Sequence, residues 1–269
     1  MIHRSTDEKQ RVLSLSYGKD SMACLGAIEQ LGWPLDRIIT ADVWATDTIL
    51  ADLPPMVEFK AKADAIIKER YGIIVEHYRS NYSYQDVFYR PNKKNKETRK
   101  RDLYGFPIAK GNWCTSVLKT PALDKANRSS NKDCISYIGI AADEPKRLER
   151  LDGVTKISPL AAVGWTEADA KRWCIENDLL SPIYTDSARG GCWFCHNQGV
   201  GQLRLLRKNY PELWALLLKW DGDSPVTFKA DGHTVHDFDR RFQCEDEGLI
   251  YADERFKWAD IEQPQMRLF

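Results

Sequence analysis

The sequence predicts an α/β fold: a doubly wound, mostly parallel sheet followed by a smaller, mainly helical C-terminal part. Three observations carry this expectation. Short apolar runs alternate with longer segments of helical periodicity through the first half of the chain. A loop of small hydroxyls, glycine and lysine, Ser16 to Ser21, separates the first such run from the first such helix. From Ser181 onward the alternation gives way to short turns, a Cys-x-x-Cys and helical segments. Strands separated by helices imply right-handed crossovers and a parallel sheet, with ligands at the C-terminal strand ends.

The elements follow in order. Residues 11–15 are apolar and short, as a strand is, and residues 22–31 repeat apolar side chains at helical spacing until Gly32 and Pro34 stop them. Residues 37–43 read as a second strand, 56–71 as a long helix ended by Gly72, and 73–77 as a third strand. Residues 134–140 are apolar enough for a central fourth strand. Thr166 is positioned to cap a helix running to about Asp178. Two further helices are expected at 201–209 and 211–220, and the tail after Asp221, rich in acids and aromatics, gives no clear pattern. The expected division is an α/β domain over 1–185 and a Cys-x-x-Cys knuckle with helices over 186–269. A chain of 269 residues suits one core with an appended subdomain.

Composition excludes several classes. No apolar run approaches the roughly 18 residues of a membrane span, and residues 1–10 are polar and charged, unlike a signal peptide. Seven cysteines, an odd number, then argue for thiols or metal ligands in a reducing cytoplasm rather than disulfides. The net charge is zero but unevenly spread. Residues 90–101 hold seven cations against Glu97 alone, six net positive charges that the rest of the chain offsets. Such a block is either a solvated loop or a contact for polyphosphate or nucleic acid, with Tyr82, Tyr84, Phe88 and Tyr89 upstream as stacking groups.

Two constellations carry chemistry. In Ser16-Tyr17-Gly18-Lys19-Asp20-Ser21 the helix N-terminus offers N–H groups and the positive end of its dipole to an anion. Gly18 permits close backbone approach, Lys19 adds a point charge, and Ser16 and Ser21 add hydroxyls. The Walker spacing does not fit. In Gly191-Cys192-Trp193-Phe194-Cys195-His196, two thiolates on one turn can grip a metal or cluster. Cys114, in Trp113-Cys114-Thr115-Ser116, is the best further ligand, with Cys244 and His196 competing for a fourth place. A redox dithiol ranks second and unligated thiols third. Cys24, Cys134 and Cys174 lie inside strand or helix patterns and read as core.

Taken together, these segments resemble the phosphoadenosine-phosphosulfate (PAPS) reductase family, adenine nucleotide α-hydrolase-like proteins of the PP-loop ATP pyrophosphatase superfamily. Ser16-x-Gly-x-Asp-Ser looks like the PP-loop, with Tyr17 where a second glycine is frequent. The stretch from Trp113 to Lys119 looks like a Cys-Cys-x-x-Arg-Lys segment whose first cysteine has become Trp113. Gly139, Glu144 and Arg147 fall in a segment like the one after the family's fourth strand. Ser158-Pro159-Leu160, Gly164-Trp165-Thr166 and Leu179 to Tyr184 follow in order, and Cys192 and Cys195 match the late Cys-x-x-Cys.

The resemblance implies a Rossmann-like (HUP) PP-loop domain and a nucleotide site of Ser16, Tyr17, Gly18, Lys19, Asp20, Ser21, Asp42, Gly139, Glu144 and Arg147. Lys19, Asp20 and Arg147 would act in catalysis, with Arg147 on the phosphates and an acid helping to hold Mg²⁺. Asp42, ending the second strand, either contacts adenosine or metal or simply terminates the strand. Cys114, Cys192 and Cys195, with Cys244 as fourth ligand, would hold a [4Fe-4S] cluster, with Zn²⁺ as the alternative. The expected activity is ATP cleavage at the α-phosphate, with adenylation, pyrophosphate release and sulfur transfer. Expected partners are a nucleic-acid acceptor reached through 90–101 and a sulfur donor or reductant protein. A PAPS/APS reductase using Cys244 ranks second, because the acids around Cys244 disfavour a thiolate. A nucleotide- or nucleic-acid-binding module with a zinc clip ranks third.

Overall fold

The computed structural model describes residues 2–6, 8–92, 102–108, 113–129, 133–186, 191–252 and 258. The chain forms two compact units, Met1–Tyr84 with Cys114–Cys192, and Gln85–Trp113 with Trp193–Phe269. Residues 85–113 group with the C-terminal unit. Of the basic block, residues 93–101 lie outside the described residues.

The first unit opens with β1 (Gln10–Ser14), α1 (Lys19–Leu31), β2 (Arg37–Asp42), α2 (Pro54–Tyr71) and β3 (Val75–Arg79). The helices stop where glycine can take the left-handed conformation, Gly32 at φ 62° and Gly72 at φ 65°. The short α3 (Tyr84–Phe88) leads into the second unit. The chain re-enters the first through a π-helical turn (Thr115–Lys119) that continues into α4 (Thr120–Arg128). Then come β4 (Cys134–Tyr137), α5 (Pro145–Leu148), β5 (Lys156–Ile157), α6 (Pro159–Val163), α7 (Glu167–Glu176) and α8 (Ile183–Asp186).

The strands form one sheet in the order β3-β2-β1-β4-β5, with every pairing parallel. This is a doubly wound sheet whose chain direction switches between β1 and β4, the point outside which ligands sit in such sheets. Central β1 buries Val12 and Leu13 completely, as a strand covered on both faces must. Its Leu13 belongs to the main core with α1 residues Met22, Leu25 and Ile28 and α2 residues Phe59 and Ile67. Helix α7 begins with the expected cap: the Thr166 hydroxyl accepts from the Asp169 N–H, and the Asp169 carboxylate accepts from the Thr166 N–H.

The second unit contains α9 (Val200–Asn209), α10 (Pro211–Asp223) and α11 (Val235–Asp246). Its interior is aromatic. Trp193 and Trp220 stack with ring centroids 5.5 Å apart, Phe88 stacks on Trp220 at 5.9 Å, and Phe106 meets Phe88 and Phe228 edge-on. Helix α11 lies in the tail that gave no clear pattern. Its start is nevertheless a capping box of Thr234 and Asp237.

Candidate functional site

The C-terminal ends of β1 and β2 open on a cavity of about 780 Å³ inside the first unit. Its floor is the whole stretch Ser14 to Ser21. Thr40, Ala41 and Val43 extend from β2, and Asp52, Met56 and Lys60 come from the approach to α2 and from α2 itself. Lys119, Gly139, Arg147, Glu167, Tyr184 and Cys192 complete the polar part of the wall. Four cationic side chains, Lys19, Lys60, Lys119 and Arg147, face it against three acids, Asp20, Asp52 and Glu167. Such a lining suits an anionic ligand accompanied by a cation.

The loop is tied by its own hydroxyls. The Ser16 N–H donates to Ser21 Oγ at 3.1 Å, the two serine oxygens lie 3.0 Å apart, and Ser21 Oγ donates to the Gly18 carbonyl at 3.0 Å. The Lys19 N–H donates to the Tyr184 hydroxyl at 3.1 Å, so one N-terminal donor of α1 already faces an oxygen on the cavity wall. Gly18 sits at φ −76° and ψ 156°, open to any residue, and an added Cβ would meet only ordinary contacts. The unusual backbone belongs to Tyr17, at φ 57°. That is where the resemblance places a glycine, and the preference for glycine there has this conformational reason.

Gly139 is required by packing. A Cβ on it would lie 2.6 Å from the Ser21 nitrogen and 2.7 Å from the Ser21 Cα, both backbone atoms. The segment after β4 therefore presses directly on the first turn of α1. Gly139 shapes the loop as well as lining the cavity.

Acidic groups gather beside that turn. Carboxylate oxygens of Asp20, Glu144 and Glu167 all lie within 4.8 Å of one another. Lys19 Nζ bridges Asp20 at 2.8 Å and Glu167 at 3.1 Å, and Arg147 pairs with Glu144. Burial pushes the Asp20 carboxyl above its ordinary range, and Glu167 and Glu144 add to this against the pull of Lys19. Burial alone would lower the Lys19 ammonium, but the two acids more than offset it. Three clustered oxygen donors are the set a hard cation such as Mg²⁺ prefers. Glu167 carried no sequence signal beyond following the Thr166 cap.

Asp42 is engaged elsewhere. Its carboxylate receives His77 Nδ1 at 2.8 Å and Lys60 Nζ at 3.2 Å, and it is not among the cavity-lining residues. His77 Nε2 reaches Asp64 at 2.9 Å, and the Tyr17 hydroxyl donates to Asp64 at 2.6 Å. Lys60 also pairs with Asp52 at 2.6 Å. Hydrogen bonds to Asp42 and Asp64 push His77 up to about 9, and burial holds the Tyr17 phenol well above its usual value. Sequence reasoning missed Asp52, Lys60, Asp64 and His77, because charges at helical or strand spacing carry no mark of convergence.

The cysteines divide between the units. Cys114 and Cys192, both half-buried, belong to the first, Cys114 immediately before the π-helical turn and Cys192 on the cavity wall. Cys195 and Cys244 belong to the second. Cys244 is buried on α11 in an apolar cluster with Ile250, flanked by Leu249 and Trp258. Those are the surroundings of a small hydrophobe rather than of a nucleophile or ligand. Cys24 and Cys174 are fully buried in the main core, as expected, and Cys134 packs at the edge of a small cluster around Val12, Ile39 and Ala126. Thiolate donors at Cys114, Cys192 and Cys195 fit iron–sulfur or zinc chemistry by type.

No protein-family model matches the chain, and no curated protein shows significant similarity to it. Among solved structures, it is similar to the U34-tRNA thiolase NcsA from Methanococcus maripaludis, determined with its [4Fe-4S] cluster. Sequence identity is 14%, the match covers 81% of this chain and 72% of that one, and the TM-score is 0.39. A likeness this loose carries no functional argument.

Proposed function

We propose that the cavity holds ATP or a related adenine nucleotide by its phosphates, and that the protein cleaves ATP between the α and β phosphates. The acceptor is adenylated and pyrophosphate leaves. One observation carries the reading: the Ser16–Ser21 loop, at the switch point of a parallel sheet, floors a cavity faced by four cationic side chains. Lys19 and the first turn of α1 would hold the departing pyrophosphate, with Arg147 on the phosphate oxygens. Asp20, Glu144 and Glu167 would share Mg²⁺, which neutralises charge as the phosphates separate.

A [4Fe-4S] cluster on Cys114, Cys192 and Cys195 would supply sulfide chemistry, and the place of Cys192 on the cavity wall favours such coupling. The surroundings of Cys244 argue against it as fourth ligand. Zinc is the alternative occupant. A nucleic acid is the acceptor class that the cations of residues 90–101 suit, with a sulfur donor or reductant protein as a further partner.

Nucleotide binding and bond cleavage test this directly. ATP with Mg²⁺ should raise the melting temperature, and Lys19→Ala combined with Ser21→Ala should abolish most of that rise. With acceptor present pyrophosphate should be released, and with a sulfide donor added AMP should follow as sulfur displaces it from the adenylated acceptor. ADP and phosphate as products, or an undiminished shift in the double variant, would refute the assignment. Sulfite release from PAPS that disappears in Cys244→Ser would install reductase chemistry instead.

A further inference from the structure

The phosphate loop contains a backbone problem that the chain solves with side chains. Tyr17 adopts φ 57°, a conformation that L-residues other than glycine enter at an energetic cost. Its side chain is completely buried, and its hydroxyl reaches out of the loop to Asp64 on α2, 2.6 Å away. Asp64 is in turn held from β3 by His77 Nε2 at 2.9 Å, and the other nitrogen of His77 is held from β2 by Asp42 at 2.8 Å. Three elements outside the loop therefore converge, through one hydroxyl, on its single left-handed residue.

We infer that Tyr17, Asp64, His77 and Asp42 form a positioning relay that locks the loop in its anion-receiving conformation before any nucleotide arrives. Where a glycine permits the left-handed backbone, Tyr17 enforces it. The geometry supports this reading over a purely packing role. A tyrosine that only filled the core would not need a carboxylate at 2.6 Å, nor would that carboxylate need an imidazole fixed by a second one. Both imidazole nitrogens face carboxylate oxygens, so the ring donates in both directions and fixes the orientation of Asp64. The charged acceptor makes the Tyr17 bond one of the stronger kinds available to a neutral donor. The relay also gives Asp42 a role the cavity does not: it acts on the loop through His77. Preorganisation of this kind lowers the ordering cost of binding, so its loss appears in affinity.

The role in affinity rests on the nucleotide reading above; the locking of the loop does not. The test therefore uses two readouts on the full chain: hydrogen exchange of the amides of residues 16–21 without ligand, and ATP affinity by calorimetry. Tyr17→Phe keeps the ring and removes only the hydroxyl, and Asp64→Asn weakens the acceptor. Each should speed exchange across 16–21, leave β1 exchange unchanged, and weaken ATP binding about tenfold, the scale of one hydrogen bond to a charged group. The double variant should bind no more weakly than the poorer single variant, because both substitutions break the same link. Unchanged exchange in Tyr17→Phe, or losses that add in the double variant, would overturn the relay. Wild-type protein that fails to bind ATP while exchange responds as expected would refute the nucleotide reading and leave the locked loop standing.

Discussion

The loop before α1 and the turn after Cys195 are both short and both carry chemistry-bearing residues, yet they are held in opposite ways. In the first unit the loop reaches outward: the Tyr17 hydroxyl runs to Asp64, and its backbone is tied by Ser16 and Ser21. In the second unit the turn is reached from outside. Lys229 Nζ donates to the carbonyls of His196, at 2.6 Å, and Gln198, and lies 5.1 and 5.8 Å from the ring centroids of Phe228 and Phe238. Burial lowers the Lys229 ammonium below its usual range. The loop that floors the cavity is anchored through its side chains. A turn that presents a thiol has its outward carbonyls satisfied by a cation.

The largest effect should come from the place where the first loop has no slack. Gly139→Ala drives a methyl into the backbone of Ser21, with no flexible side chain to yield. Overpacking against a fixed helix turn should cost about 3 kcal/mol and displace the first turn of α1. Denaturant unfolding and ATP-induced stabilisation should both report it, and retention of both would mean that the loop tolerates movement. The second turn offers the matched experiment. Lys229→Met keeps the apolar stem and removes the ammonium, leaving two carbonyls without this donor. A loss of about 2 kcal/mol is expected, in line with charged hydrogen bonds to backbone. Amide exchange across residues 196–198 should also accelerate. Unchanged exchange would show that the turn holds itself.

What the sequence made legible follows the same division. Periodicity and breakers located the strands and helices that place Ser16–Ser21, because β1 is a short apolar run and α1 and α2 are long, apolar on their buried faces and ended by glycine. Of the residues expected at the nucleotide site, Ser16–Ser21, Gly139 and Arg147 line one cavity, Glu144 lies in the adjoining acidic cluster, and Asp42 is held by His77 and Lys60 instead. The convergence of Glu167, Lys60, Asp52, Asp64 and His77 was not legible, since nothing in their spacing records that α2 and the segment before it, β3 and α7 come together at the loop. Strand β5 was missed because two residues paired to β4 make too short a pattern. Helix α11 was obscured by its charges, which pair across the second unit: Arg204 with Glu245, and Arg207 with Asp239 and Asp246. The assignment of 85–113 to the second unit depends on rings such as Phe88 and Phe106 meeting Trp220 and Phe228, a convergence between distant segments.

The smallest expected effect is electrostatic and separates the two anchoring schemes by pH. His77 is raised from its ordinary value near 6.5 to about 9 by Asp42 and Asp64. A folded value above the unfolded one means that the charged imidazole stabilises the native state. That contribution is full below about pH 6.5 and is lost as pH rises through about 9. The shift alone would correspond to about 3 kcal/mol. The His77 side chain is 36% exposed, however, and solvent screening reduces the expected loss to about 1 kcal/mol. Urea unfolding of the first unit at pH 7 and pH 9.5 should show a difference of that size, and His77→Gln should remove it while retaining whatever other groups contribute. Exchange of the 16–21 amides, corrected for its intrinsic pH dependence, should accelerate over the same interval, since the imidazole that orients Asp64 then carries one proton fewer. The Lys229 anchor also loses its proton as pH rises, since burial lowers its ammonium, so His77→Gln is what separates the two segments: it should abolish the pH response at 16–21 and leave that of residues 196–198 unchanged. A response lost in both segments, or in neither, would mean that His77 does not act through the loop.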